Sequence, residues 1–237
     1  MALGTNQFPL QPGIPGHFTE VVVGAAERNI FLRKVFGLVF FGLVCTGAGG
    51  LAGLDTGVSL QLLSHPWIAM GLFFGLFFGA QAGRHLAGLN VLLLALFTGF
   101  SGVYLAPVVA YAGPAAAGNA LATTSLVFVG LSIYASVTKR DFSFLGAFIF
   151  TAILALIAGS LLNVFLFHSA AAQGALSVVG CFVFSAAILF DVWRLSKTMS
   201  FDEPVAFALT LYLDFINLFL FVLQLFTRRG GGGRSWS

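Results

Sequence analysis

Between Asp141 and Asp191 the chain runs for forty-nine residues without a charged side chain. A helix needs about 20 apolar residues to cross a hydrocarbon core, so this stretch can cross twice. Other charge-poor runs surround it: Val35–Leu54, Thr56–Gly83, His85–Thr138, and Pro204–Thr227, which holds only Asp214. Charged residues make up 8% of the chain, against about a quarter in a soluble domain. Too few remain to cover a wettable surface, which excludes soluble and disordered classes and leaves an integral membrane protein. The net charge is +3, but the basic residues are scattered between apolar runs and form no stripe, so nucleic acid is not an expected partner.

The charges and breakers divide the chain into seven spans, at roughly 33–54, 66–83, 88–110, 119–138, 144–167, 174–196 and 204–226. The long run after His85 is expected to break at Pro107 and around Ala112–Gly118. Helices are preferred over barrel strands because each run stays apolar for about 20 residues, whereas barrel strands alternate over about ten. A helix also pairs its own backbone polar groups, which lipid cannot do. The expectation is an all-α membrane protein, a seven-transmembrane-helix bundle over 31–228. Residues 1–30, mixed in polarity and carrying no cleavable signal, read as a flexible cytoplasmic tail, and 229–237 as a second tail.

Basic residues orient such a bundle. Arg28, Arg33 and Lys34 precede the first span, Arg84 follows the second, Lys139 and Arg140 the fourth, and Arg194 and Lys197 the sixth. The other three loops carry none, which places the N-terminus in the cytoplasm. Arg228, Arg229 and Arg234 then fall on the opposite side, against the rule.

Inside the membrane, ionisable residues are costly and usually tied to function. Asp214 is the eleventh of the residues 204–227, at a depth where a carboxylate costs about 2.5 kcal/mol or more. Thr210, Asp214, Asn217 and Gln224 share one narrow helical stripe, expected to face the bundle interior or a wet cavity. Asp191 lies near the cytoplasmic end of the sixth span. It can pair with Arg194 at i+3, or meet Asp214 at similar depth if the last two helices are antiparallel neighbours. Two carboxyl groups in contact there cannot both ionise cheaply and should share a proton. Such a pair also offers hard oxygen ligands to a divalent cation, so Asp191 and Asp214 are candidates for a transient divalent-cation site. Arg84 could close the pair as a latch, or serve only as an orientation signal. Gly71, Gly75, Gly79 and Gly83, spaced by four, form a groove for close helix packing.

Cys45 and Cys181 sit in apolar runs and read as small core residues, and the four histidines show no ligand spacing. No tightly bound cofactor is expected.

The stretch Leu211-Tyr-Leu-Asp-Phe-Ile-Asn-Leu-Phe219 resembles the last helix of the transmembrane Bax inhibitor motif family. Phe184-Ser-Ala-Ala-Ile-Leu-Phe-Asp191 is similar to that family's sixth-helix motif, and Ser101-Gly-Val-Tyr-Leu-Ala-Pro107 to its third. The likeness runs from about Phe31 to Phe226. It implies a seven-helix bundle with the last helix central and a pH-sensitive calcium leak. It also implies a di-aspartyl sensor at Asp191 and Asp214 and a basic latch at Arg84. Some relatives carry an acidic residue in the second helix, whereas the region around Phe73 and Phe74 is apolar here. Bacterial relatives are linked to modulation of a membrane-bound protease, and animal ones to suppression of cell death. The competing reading is therefore a regulator of another membrane protein with no flux of its own.

Two aspartates on consecutive membrane helices are also the arrangement of intramembrane aspartyl proteases. Those open the helix with Gly-x-Gly before the second aspartate. Leu211-Tyr212-Leu213 keeps it closed here, so the chain is not expected to be an enzyme.

Overall fold

Backbone groups in hydrocarbon have only one another to bond, and the chain answers with helix throughout its spans. The structure, a computed structural model, describes residues 16–86, 88–197 and 203–231, with side chains placed from 26 to 228. The helices are α1 (Gly16–Asp55), α2 (Val58–Ser64), α3 (Pro66–Ala82), α4 (Leu89–Ala112), α5 (Pro114–Val137), α6 (Leu145–Leu162), α7 (Ala170–Lys197) and α8 (Pro204–Gly231). A 3₁₀ turn, Gly83–His85, follows α3, and a π turn, Asn163–Phe167, extends α6. All helices except α2 are long and apolar enough to cross a membrane, which makes the chain a seven-span all-α bundle.

Local chemistry sets the joints. Proline, which lacks the N–H that a helix start leaves unpaired, opens α3, α5 and α8. Gly57 (φ 73°) and Gly113 (φ 82°) adopt the left-handed backbone that L side chains disfavour, separating α1 from α2 and α4 from α5.

Three expectations are corrected. First, Pro107 does not end the third span: α4 continues through it to Ala112. Neighbouring helices tolerate such a proline, so the break waits for Gly113. Second, helix begins at Gly16, inside the stretch expected as a tail. Residues 1–15 and 232–237, parts of the two expected tails, lie outside the described residues. Third, the glycine stripe is not a packing groove within the chain. A Cβ added at Gly71, Gly75 or Gly79 would meet nothing within 4 Å, and only Gly83 is crowded, by Leu93.

Close packing occurs instead between α1 and α4. A Cβ on Gly49 would collide with the carbonyl of Gly99, and one on Gly102 with the carbonyl of Thr46. Small residues on both helices let the backbones touch, which is how membrane helices gain dispersion contacts when lipid is as apolar as the side chains. Gly102→Ala should therefore destabilise the bundle by about 1–3 kcal/mol, while Gly75→Ala should be near neutral. Thermal unfolding of the two variants in micelles checks this, and equal midpoints would contradict it.

α8 is central. Its residues enter both apolar cores, one built with α1, α5, α6 and α7, the other with α3 and α4 around Ala80, Leu94 and Phe97. Packed against α1, α4, α5 and α7, α8 brings its one acidic side chain into the interior rather than to lipid.

Candidate functional site

α7 and α8 pack as antiparallel neighbours, with the loop between them largely outside the described residues. Antiparallel pairing sets Asp191, six residues before α7 ends at Lys197, opposite Asp214, ten residues after α8 opens at Pro204. Both are buried, at 9% and 6% exposure, and their carboxyl groups lie in hydrogen-bonding contact. Asp214 Oδ2 is sealed from solvent and receives no hydrogen bond from the described residues. An oxygen so placed can carry the proton that two carboxyl groups in contact share.

Arg194 guards one side of the pair. Its Nη2 lies 2.9 Å from Asp191 Oδ1. Its guanidinium carbon sits 5.7 Å from the ring centre of Phe190 and 5.6 Å from that of Phe207 on α8. The two pairings open to Asp191 at the sequence level thus coexist: it holds Arg194 and touches Asp214.

Arg84 is not at the pair. No ion pair joins it to either aspartate; its Nε lies 3.3 Å from Glu203 Oε2, and His85 Nδ1 lies 3.3 Å from Glu203 Oε1. The reason is geometric. The 3₁₀ turn that carries Arg84 meets Glu203, the residue before α8, whereas Asp214 lies eleven residues further along the chain. What Arg84 ties down is therefore the start of α8. Both side chains are partly exposed, at 40% and 30%, so the bridge should contribute less than about 1 kcal/mol. Arg84→Ala should lower the melting midpoint slightly, Glu203→Gln at least as much because it also loses the His85 contact, and the double variant no further than Glu203→Gln. Additive losses would show that the two side chains act apart.

The polar stripe on α8 divides rather than forming one lane. The Thr210 hydroxyl donates to the Ala206 carbonyl (3.1 Å) and the Asn217 amide to Leu213 (2.8 Å), so both close on their own helix. Gln224 belongs to a separate network at the other end of α8. Its Oε1 accepts from Gln173 Nε2 and from the Ser177 hydroxyl, both at 2.8 Å, and Asn163 Nδ2 donates to Gln173 Oε1 at 3.2 Å.

Two features escape sequence reasoning. The first is the ring clamp on Arg194, which needs Phe207 from another helix. The second is Tyr212, fully buried, with its hydroxyl 2.7 Å from Thr46 Oγ1 and its ring edge-on to Phe97 at 6.0 Å between centres. Thr46 Oγ1 also donates to backbone carbonyls, with Gly42 at 2.9 Å and Thr98 at 3.0 Å. A hint lay in the small polar residues Thr46, Thr98 and Ser101 beside the glycines of α1 and α4.

A buried acidic pair on α7 and a central α8, with a small-residue seam between α1 and α4, point to one kind of membrane bundle. The profile described as "Inhibitor of apoptosis-promoting Bax1" matches residues 28–231. The chain belongs to the Bax inhibitor family. It is 33% identical to a protein of Campylobacter jejuni, over 85% of this chain and 89% of that one. It is 35% identical to the Golgi anti-apoptotic protein of vaccinia virus, over 84% of this chain and 85% of that one. It is 32% identical to Bax inhibitor 1 of Schizosaccharomyces pombe, over 84% and 76%. The matched stretch takes in all seven spans and both aspartates of this family member.

Proposed function

We propose that the chain is a pH-sensitive calcium leak channel whose gate is the Asp191–Asp214 pair. The observation that carries this reading is the buried carboxyl contact with one Asp214 oxygen unpartnered. A group so costly in hydrocarbon is retained where protons or ions move. Protons and calcium compete for the same oxygens, so protonation favours the closed state and deprotonation opens the site to a divalent cation. Calcium is here the permeant ion rather than a resident cofactor. The pair performs no covalent chemistry in this reading: α8 runs unbroken through Asp214, with no opened backbone to admit a peptide bond. The basic loops favour a cytoplasmic N-terminus, and bacterial relatives favour an inner-membrane location.

A second reading is favoured by the names of two relatives, the Golgi anti-apoptotic protein and Bax inhibitor 1. In it the chain binds and modulates another membrane protein, such as a membrane-bound protease or a cell-death factor, without flux of its own. Purified full-length chain in liposomes separates the two. Calcium entry that rises with pH supports the channel, and liposomes as tight as protein-free ones would leave the regulator.

A further inference from the structure

Arg194 is held from three sides. Asp191 takes its charge at 2.9 Å, the Phe190 ring flanks it from the same helix, and the Phe207 ring flanks it from α8. Cations within about 6 Å of an aromatic face are attracted by the ring quadrupole, and arginine stacks there best. Phe207 is itself braced edge-on by Phe31 of α1, at 5.9 Å between ring centres. The clamp therefore joins α7, α8 and α1 at the end of the bundle that carries the basic loops. At the same time the Arg194 side chain is 50% exposed, so it has water to move into.

Charge balance assigns this arginine a task. One oxygen of the pair, Asp191 Oδ1, already holds a cation, the Arg194 guanidinium at 2.9 Å. A calcium ion held by both carboxylates would need that same oxygen, and two carboxylates already balance its charge. Calcium and Arg194 together would leave one uncompensated positive charge in a low dielectric, which is costly. Only one of the two cations fits.

We infer that Arg194 is a built-in counter-ion of the carboxyl pair, clamped between Phe190 and Phe207, which a divalent cation must displace from Asp191 to occupy the site. This deepens the channel reading and rests on it for its ligand. Displacement frees Arg194 from Phe207 as well as from Asp191, so filling the site loosens α7 from α8 at their cytoplasmic ends. Occupancy is thereby coupled to opening. The device differs from the Arg84 bridge, which touches Glu203 and leaves the carboxyls alone.

The test is calcium titration of the detergent-solubilised full chain by calorimetry, with calcium entry into liposomes measured on the same proteins. Arg194→Gln removes the competitor and should tighten calcium binding by about tenfold, a usual size for coupling between two ligands. Arg194→Lys keeps the charge but not the planar stack, so its affinity should lie between parent and Arg194→Gln. Phe207→Leu keeps both charges and releases one side of the clamp, and should tighten binding in the same direction by a smaller factor. This variant holds the inference open to test should Arg194→Gln fold poorly. Calcium binding by Arg194→Gln no tighter than the parent's would overturn it, as would a Phe207→Leu protein indistinguishable from the parent. Failure of the channel reading looks different: binding tightens in these variants, yet parent liposomes admit no calcium.

Discussion

Asp191→Asn and Asp214→Asn, each made alone in the full chain, are expected to lower calcium entry into liposomes by about tenfold, and the double variant is expected to lose little more. Groups that share a proton and a ligand act as one unit, so removing either carboxylate removes the site. The interaction energy from the cycle should be on the order of 1–3 kcal/mol. The sign of the pH effect follows from competition. As pH rises, the shared proton leaves and both carboxylates become available, so apparent calcium affinity increases; as pH falls, protons displace calcium and affinity drops. In either single variant the remaining carboxyl has no partner with which to share a proton, so the parent's pH profile should be lost. Additive losses, or a parent-like profile surviving in Asp191→Asn, would mean that the carboxyl contact has no part in gating.

The largest effect on stability should come from Tyr212→Ala. The side chain is fully buried, packs edge-on against Phe97, and bonds Thr46 through its hydroxyl. Truncating a buried aromatic leaves a cavity and forfeits its contacts, at a cost of about 3 kcal/mol or more. Tyr212→Phe keeps the ring and loses only the hydroxyl bond, worth about 0.6 kcal/mol on average between membrane helices. Unfolding in micelles should therefore rank parent, Phe and Ala with a small first step and a large second one. Equal losses for the two variants would assign the anchor to the hydroxyl rather than to the ring.

Tyr212 and Asp214 sit on opposite faces of one helix, and both faces are buried. One face of α8 is pinned to the α1–α4 seam and the other to α7, which keeps the Asp214 carboxyl in the interior. A lipid-facing helix would let Asp214 escape towards the interface, where it would cost less and sense less.

Much of this protein is decided along the chain itself. Charge-poor runs of 20 residues or more, bounded by Asp55, Arg84, Asp141, Asp191 and Glu203, admit only membrane helices, because lipid leaves the backbone no other partners. Prolines at helix starts and glycines at Gly57 and Gly113 punctuate them by local backbone preference, and a lone aspartate deep in the last run marks the site by its cost alone. The tertiary structure decided which surfaces meet. The regular glycine stripe of α3 found no partner, while the less regular small residues of α1 and α4 came into backbone contact. Arg84 took Glu203, and Arg194 took Asp191 between two rings. Spacing within one helix determines which residues share a face. Which face meets which depends on fitting seven helices at once, through short-range contacts that no single segment carries.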